Sequence, residues 1–405
     1  MSGLRTRRAM VLVAMQPTST TPTFNAATDA ILVENPDVKV DLTILERSIF
    51  RPSISQMPHV AGRKIYKTSF RTELRGGGTA GTAARIGRLF RACGYSETVI
   101  AAAAADAVRS IGTPVSNCTW ATTGILTPAE RIAYTVTVTT PGASGTAKVS
   151  ITPDNGDAPQ LNQTVTTGTP ILVAYGLSIT PTLTGSMTGG DSWLVVVRSP
   201  GVQYDPVSTG NEQIALQVFF DGTMHLITLA QGTFKLTADG GKYPYIDWEF
   251  TGTFNTLVDS AMPSPTYETT IPAQVALARV YLDGFQPNMN SFTFDQGNTL
   301  GIRDSVNNAD AFNGVVITDR KCMGGIDPEA DLVANQDFWS KLASSKTMFF
   351  QQRFGVTAGN VVWFESYSAQ ATGLTYKDRT GIRTYDEGLR FSSSQGDNEA
   401  RFYFC

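Results

Sequence analysis

The residue types that could support catalysis or cofactor binding are few and widely spaced in this chain. Gly76, Gly78 and Gly81 fit the pattern G-x-G-x-x-G and lie between a predicted strand and a predicted helix, as in a dinucleotide-binding loop. The rest of such a site is missing, because no second parallel strand with an acidic end follows. The pattern therefore favours a flexible glycine turn, and we expect no nucleotide cofactor.

Metal chemistry is equally poorly supported. The two histidines, His59 and His225, have no Cys, His or carboxylate at ligand spacing. The four cysteines are scattered through the chain, in neither a zinc spacing nor a dense disulfide framework, which fits a reduced compartment. We therefore expect no metal site.

Carboxylates occur in pairs that a glycoside hydrolase could use, Asp247 with Glu249 and Asp386 with Glu387. Acidic residues are common on the solvent-exposed face of a strand, however, and we favour this structural interpretation of both pairs over a catalytic one. No nucleophile elbow, zinc-protease motif or Walker loop is present. We expect no catalytic residue and no enzymatic activity.

The clearest local patterns surround the glycine triplet. Residues 64–74 alternate between apolar and polar, which predicts a strand with one polar side. From Thr82 the spacing of Ile86, Leu89, Phe90 and Cys93 predicts the main helix, with Gly94 placed to end it. In the second half, Ile246, Trp248 and Phe250 are expected on one face of a strand, with Asp247 and Glu249 on the other.

Other segments carry weaker signals. Residues 9–15 are apolar and favour a first strand over a signal-peptide core. Asn35-Pro36 predicts a turn between two short strands. The alanine-rich residues 99–108 predict a short helix or packed connection, and residues 331–345 a second helix.

Composition indicates a mainly β protein. Apolar residues make up 41% and charged residues only 17% of the 405 residues. Residues 1–112 carry a net charge of +7, residues 113–210 of −2 and residues 211–405 of −8. Uneven surface charge alone would explain this, but a basic front and an acidic back also suit copies that meet head to tail.

Residues 45–62 predict a long loop, with two prolines and little regular pattern. Its apolar side chains, Ile49, Phe50, Ile54 and Met57, favour docking onto a partner. We predict that this loop makes the contact between subunits or between rings of subunits.

A change of pattern separates the middle of the chain from its ends. Within residues 121–199, short alternating segments recur with turn signals between them, which favours an immunoglobulin-like sandwich. The predicted organisation is one β domain, formed by residues 1–115 and 205–405, interrupted by an inserted domain at residues 116–204.

Several sequence motifs in the outer segments resemble the major tail tube proteins of long-tailed, non-contractile bacteriophages. They are FRTELRGGG and GRLFRACGYSET within residues 70–98, LQVFFDGTMHLITLAQGTFKL at 216–236, WEFTGTF at 248–254, ITDRKCMGGIDPEA at 317–330, GNVVWF at 359–364 and YKDRTGIRTYD at 376–386. Their order and spread carry the resemblance. The insert resembles decorating modules of such phage proteins.

The resemblance implies a β-sandwich or rolled sheet with one main helix that assembles into six-membered rings. Stacked rings form a hollow tube around a tape measure protein, bounded by tail terminator and distal tail proteins, and double-stranded DNA passes through it without sequence-specific binding. It implies a non-enzymatic protein without a cofactor, assembled in the host bacterial cytoplasm and located in the virion tail, with no membrane partner. The implied lumen is acidic, and we predict that Asp247 and Glu249 face it.

A carbohydrate-binding or adhesin-like β protein of a virion or cell surface is the alternative. Such a protein needs exposed aromatic side chains on one sheet face, and within the insert Trp193 and Tyr175 are the candidates. A virion glycan hydrolase is a third possibility, without a convincing acid pair.

Overall fold

Alternating apolar and polar residues build nearly all of the structure, which is a computed structural model. It describes residues 4–17, 21–100, 104–105, 108–111, 114–124, 126, 130–155, 157–308, 310–393 and 396–405. Strands dominate and the helices are short, so the chain is a mainly β protein, as the composition predicted. None of the described helices has the length and apolar character needed to cross a membrane.

The first part of the chain supplies two long strands. Its elements are β1 (Ala9–Met15), α1 (Ala26–Asp29), β2 (Ala30–Ile31), β3 (Glu34–Leu45), β4 (Val60–Glu73), α2 (Gly87–Ala92) and β5 (Tyr95–Ile100). The strand predicted at residues 9–15 is confirmed. The turn predicted at Asn35-Pro36 is wrong, because β3 continues through both residues and absorbs them as an irregularity in its register with β4.

The middle of the chain forms two small sheets that face each other, together with a separate strand pair, β10 with β15. Its elements are β6 (Ala104–Ala105), β7 (Arg109–Ile111), β8 (Cys118–Thr123), β9 (Arg131–Thr140), β10 (Gly142–Ala143), β11 (Lys148–Pro153), β12 (Gln160–Thr164), β13 (Ile171–Leu172), a 3-10 turn (Ala174–Gly176), β14 (Ser178–Leu183), β15 (Ser186–Met187) and β16 (Ser192–Arg198). One sheet has the order β12-β11-β9-β16-β6, with β7 also on β16, and the other has the order β13-β14-β8. The helical option for residues 99–108 is wrong for the described residues, which extend β5 and form β6.

The last part returns to long strands. Its elements are β17 (Gly201–Pro206), β18 (Ile214–Phe220), β19 (Thr223–Asp239), β20 (Tyr245–Thr253), β21 (Val258–Asp259), β22 (Val280–Leu282), β23 (Met289–Asp295), β24 (Asn298–Asp304), β25 (Phe312–Arg320), β26 (Met323–Pro328), α3 (Phe338–Ala343), β27 (Met348–Phe354), β28 (Val362–Arg379), β29 (Ile382–Phe391) and β30 (Arg401–Phe404). Antiparallel pairing links β3-β4-β20-β19-β23-β26-β29-β28 into one run. Beyond β28 the sheet continues through β27 to β22, and through β30 and β17 to β5.

Both predicted helices are shorter than expected, and neither is the single main helix. α2 begins at Gly87 rather than Thr82. Just before it, the Arg85 backbone N–H donates to Glu268 Oε1 (2.9 Å) and the Arg85 guanidinium donates to carbonyls of α1 and β2. α3 begins after Asp337, whose carboxylate accepts from the Ser340 N–H at 2.9 Å. Each of the two helices has six residues.

Phe90 of α2 lies at the centre of the main core. Its ring is fully buried, and its centroid lies 5.1 Å from those of Phe234 and Trp248 and 4.8 Å from that of Phe402. Three strands of the last segment therefore pack on one side chain of the first segment. The predicted spacing is confirmed, since Ile86, Leu89, Phe90 and Cys93 are all buried.

The middle strands have a second hydrophobic core of their own. Trp120 and Trp193 pack against each other between the two small sheets, with their ring centroids 5.6 Å apart. Buried charges join this core to the main one: the Arg131 Nε and Arg198 Nη2 atoms lie 2.5 and 2.7 Å from the two carboxylate oxygens of Glu365 on β28. All three side chains are inaccessible to solvent.

Candidate interaction surface

The glycine turn after β4 is occupied by the chain's own backbone. The Gly76 N–H donates to Asn360 Oδ1 (2.9 Å), and the Gly78 N–H donates to the Gly359 carbonyl (3.0 Å). A Cβ atom on Gly76 would lie 2.2 Å from the Gly359 carbonyl oxygen. The motif therefore serves close packing between two loops, which agrees with a turn rather than a phosphate-binding loop.

The titratable residues in the described part of the chain form no cluster of metal ligands. No group of three or more His, Cys, Asp or Glu side chains there could hold a metal ion. His225 is half-buried with its Nδ1 atom 3.2 Å from the Tyr66 hydroxyl, and burial lowers its pKa. The four cysteines are buried and unbridged, and burial raises the pKa of Cys118 to about 11.

The paired acids noted in the sequence are separated by the sheet or held by basic partners. Asp386 is exposed beside Lys377 (2.5 Å), whereas its neighbour Glu387 is buried on the opposite face. Asp247 receives two hydrogen bonds from Arg71, at 2.7 and 3.0 Å, and Glu249 is exposed. Neither pair has the arrangement of an acid and a nucleophile facing one substrate.

Asp247 and Glu249 do share one face of β20, as predicted, while Ile246, Trp248 and Phe250 are buried on the other. The exposed face is mixed in charge rather than acidic. On the neighbouring strands, Arg71 pairs with Asp247 and Lys235 pairs with Asp295 (3.1 Å). Among these charges Glu249 is the carboxylate that projects most openly.

The most unusual surface is a protruding β-hairpin. β4 pairs with β20 only as far as Ile65, whereas its pairing with β3 continues outward to Val60. We call residues 40–63, the outer part of this hairpin with its loop, the arm. Its exposed large apolar side chains are Val40, Leu42, Ile44, Leu45, Ile49, Phe50, Ile54 and Val60.

The loop of the arm, residues 46–59, carries the four predicted contact residues. Phe50 and Ile54 are fully exposed, Ile49 is more than half exposed and Met57 is half-buried. The Arg51 guanidinium folds back and donates to the carbonyls of Ser55 (2.8 Å) and Gln56 (3.3 Å). The loop thus has an ordered turn that holds apolar side chains away from the body of its own chain.

A second hairpin, β24–β25, lies beside the base of the arm. Arg63 donates to both carboxylate oxygens of Asp304 (2.8 and 3.2 Å), and Ile65 packs with Phe312 and Val315. The tip of this hairpin exposes Val306 completely. Sequence reasoning missed β24, although Leu300 and Ile302 alternate with Gly301 and Arg303 and signalled it.

The aromatic candidates for carbohydrate binding are not arranged as a platform. Trp193 is almost wholly buried in the second core. The expectation that it could be exposed is wrong, because it lies on β16 facing Trp120 across the sandwich. Tyr175 is partly exposed, in a turn where its φ angle is +61°.

Fold and surface together define a mainly β protein with a protruding apolar hairpin. No protein-family model matches this chain, and comparison with curated proteins yields no match.

Proposed function

We propose that this protein is a structural subunit that polymerises with copies of itself into a hollow tube. The resemblance described above supplies the class: stacked six-membered rings in the tail of a long-tailed, non-contractile bacteriophage, forming the conduit for DNA ejection. The proposed partners are the same chain, a tape measure protein, tail terminator and distal tail proteins, and DNA in transit.

The arm is the observation that carries the proposal. Phe50 and Ile54 stand fully exposed at the end of an ordered two-stranded ribbon. Exposed apolar patches of this kind mark protein–protein contacts, because burying them on a partner releases the water around them.

Strand edges support self-association as well. Within the described residues β3 pairs with β4 alone, so its outer edge presents backbone N–H and C=O groups to any neighbouring strand. Such edges template pairing with other chains, and a closed ring of subunits removes them. The basic first segment and acidic last segment favour head-to-tail rather than like-to-like contact.

In this proposal the exposed face of β20 lines the lumen. Its ion pairs, Arg71 with Asp247 and Lys235 with Asp295, neutralise the basic groups, and Glu249 remains as an open carboxylate. DNA binds tightly where lysines and arginines release its counterions. A wall whose cations are already paired gives a passing phosphate backbone little to hold, which suits transit without enzymatic chemistry or a cofactor.

The two small sheets form, in this proposal, an immunoglobulin-like module on the outer wall of the tube. They face each other across a core that contains Trp120 and Trp193, as the sheets of such a sandwich do. The buried contact of Arg131 and Arg198 with Glu365 would fix the module to the wall.

Deletion of residues 49–57 tests the proposal. The deletion removes Phe50 and Ile54 but no residue of the cores, so the chain should remain folded by circular dichroism and form no tubes in negative-stain images. The double variant Phe50→Ser, Ile54→Ser should behave in the same way. Leu161→Ser with Leu172→Ser, which removes two exposed side chains of the small sandwich, is the matched control and should assemble normally.

Intact tubes from the deletion variant would reject the role of the arm. A wild-type chain that stays monomeric at high concentration and with an assembly initiator would reject the tube. Specific binding on a glycan array by such a monomer would favour the carbohydrate-binding alternative instead.

A further inference from the structure

A second exposed apolar cluster lies far from the arm, and we call it the end patch. It consists of Leu332, Val333, Trp339, Tyr376 and Ile382, which are between 41% and 72% exposed. Trp339 on α3 packs on Tyr376 of β28, with ring centroids 5.6 Å apart. The segment before α3 is held beside β29 by the Ala330 N–H, which donates to the Arg383 carbonyl at 2.9 Å.

Strand registers place the arm and the end patch at opposite ends of the same run of strands. On β20, Thr253 lies toward the arm and Tyr245 lies away from it. The strand pairs place Asp239 of β19, Ser291 of β23 and Pro328 of β26 at the same end of the sheet, away from the arm. β29 pairs with β26 so that its first residue, Ile382, lies beyond this same end.

The two surfaces are chemically complementary. The arm offers aliphatic side chains and Phe50, and its loop contains Arg47 and Arg51 with one acidic residue, Glu46. The end patch offers Trp339 and one side of Tyr376, because the Arg383 guanidinium lies 5.1 Å from the centre of the Tyr376 ring. Residues 327–337 beside it contain four carboxylates, of which Asp327 and Glu329 already pair with Arg379. Aromatic faces suit apolar side chains and guanidinium groups alike.

We propose that the end patch of one copy receives the arm of the next copy. This inference rests on the proposed self-assembly and specifies its contact. A surface at one end of a chain that fits a different surface at the other end makes a heterologous contact, which continues from copy to copy rather than closing in a pair. In the proposed tube, this contact joins copies that are stacked along the filament axis.

Cross-linking between two singly substituted chains tests this contact. Ile54→Cys in one chain and Val333→Cys in the other place a thiol on each surface, and the four native cysteines are buried. After mixing and assembly, a short bis-maleimide should join the two chains into a covalent dimer. Leu172→Cys replaces Val333→Cys in the control, because both side chains are 67% exposed, and should give little product.

A charge variant gives a second readout. Val333→Asp places an unpaired carboxylate in the proposed contact and should raise the protein concentration needed for filament formation about tenfold or more. Leu172→Asp should change that concentration less than about twofold, as a surface substitution does.

The outcomes separate this inference from the function on which it rests. Filaments that form without the 54–333 product, or that tolerate Val333→Asp, would overturn the end patch and leave self-assembly standing. A cross-link within one chain carrying both cysteines, under dilute monomeric conditions, would show that the arm covers its own end patch. A folded chain that never associates would overturn both.

Discussion

Glu387 shows how one buried side chain links sheet packing to pH. Glu387 belongs to β29 and its carboxyl group is buried. No hydrogen bond to its Oε2 atom occurs within the described residues. Burial raises the pKa of Glu387 to about 7, although nearby Lys341 lowers it. The neutral form is therefore the one that fits the folded chain, whereas an unfolded Glu is charged above its ordinary pKa of about 4.3.

The stability of the protein should fall as the pH rises through this window. Between about pH 4.3 and 7 the folded chain holds a proton on Glu387 that the unfolded chain has released. The stabilisation is thus complete below the unfolded pKa and is lost as the pH rises toward the folded pKa. Glu387→Gln should remove this slope. As the pH rises from 5 to 8, the free energy of unfolding of the variant should therefore increase relative to that of the wild type by on the order of 2–3 kcal/mol.

Urea titrations at a series of pH values measure this difference, and the wild-type-minus-variant comparison cancels other groups such as His225. Asp386→Asn, at the exposed neighbouring position, is the control and should leave the slope unchanged. Parallel curves for wild type and Glu387→Gln would contradict the prediction.

At the scale of elements, the glycine turn between β4 and α2 depends on close backbone contact. Because a Cβ on Gly76 would lie 2.2 Å from the Gly359 carbonyl oxygen, Gly76→Ala must push two loops apart. We expect a loss of about 1–3 kcal/mol in the free energy of unfolding. Gly373→Ala, where nothing lies within 4 Å of the added Cβ, should change it by less than about 0.5 kcal/mol.

Chemical denaturation of the two variants checks this comparison. Equal free energies of unfolding for Gly76→Ala and Gly373→Ala would mean that the two loops can move apart at little cost. If Gly76→Ala were less stable than the wild type only when a nucleotide is added, the result would support the phosphate-binding interpretation of the motif.

Elements with strong periodicity were predictable from the sequence, and those set by tertiary contacts were not. The alternation of Ile246, Trp248 and Phe250 located β20 and its buried face correctly, because period-two patterning reports burial directly. α2 lacks its predicted first turn, and Arg85 in that stretch bonds to distant segments, which no local pattern records. The loop predicted at residues 45–62 lies on the exposed arm, although β4 already begins at Val60. The strands that carry the loop outward, and the second hairpin beside it, are apparent only from the strand registers.

At the scale of the whole molecule, the two cores are joined by charge rather than by apolar packing. Arg131 and Arg198 reach Glu365 from the small sandwich, and their guanidinium groups lie over aromatic rings of the main sheet, Trp363 and Tyr403. The residues involved are far apart in the sequence, so their pairing could not be predicted from it. A buried ionic contact is stabilising only while every partner is present.

Glu365→Ala should therefore uncouple the two cores. It removes the carboxylate that both guanidinium groups share, and breaking a buried pair in this way costs about 3–5 kcal/mol. Calorimetry should show one transition for the wild type and two for Glu365→Ala, because each core has its own packed side chains. Asp386→Ala, which removes an exposed pair with Lys377, should cost less than about 1 kcal/mol and keep one transition. A single unshifted transition in Glu365→Ala would contradict this prediction, because it would mean that other contacts, such as the ion pair of Glu130 with Arg353 (2.7 Å), are enough to couple the two cores.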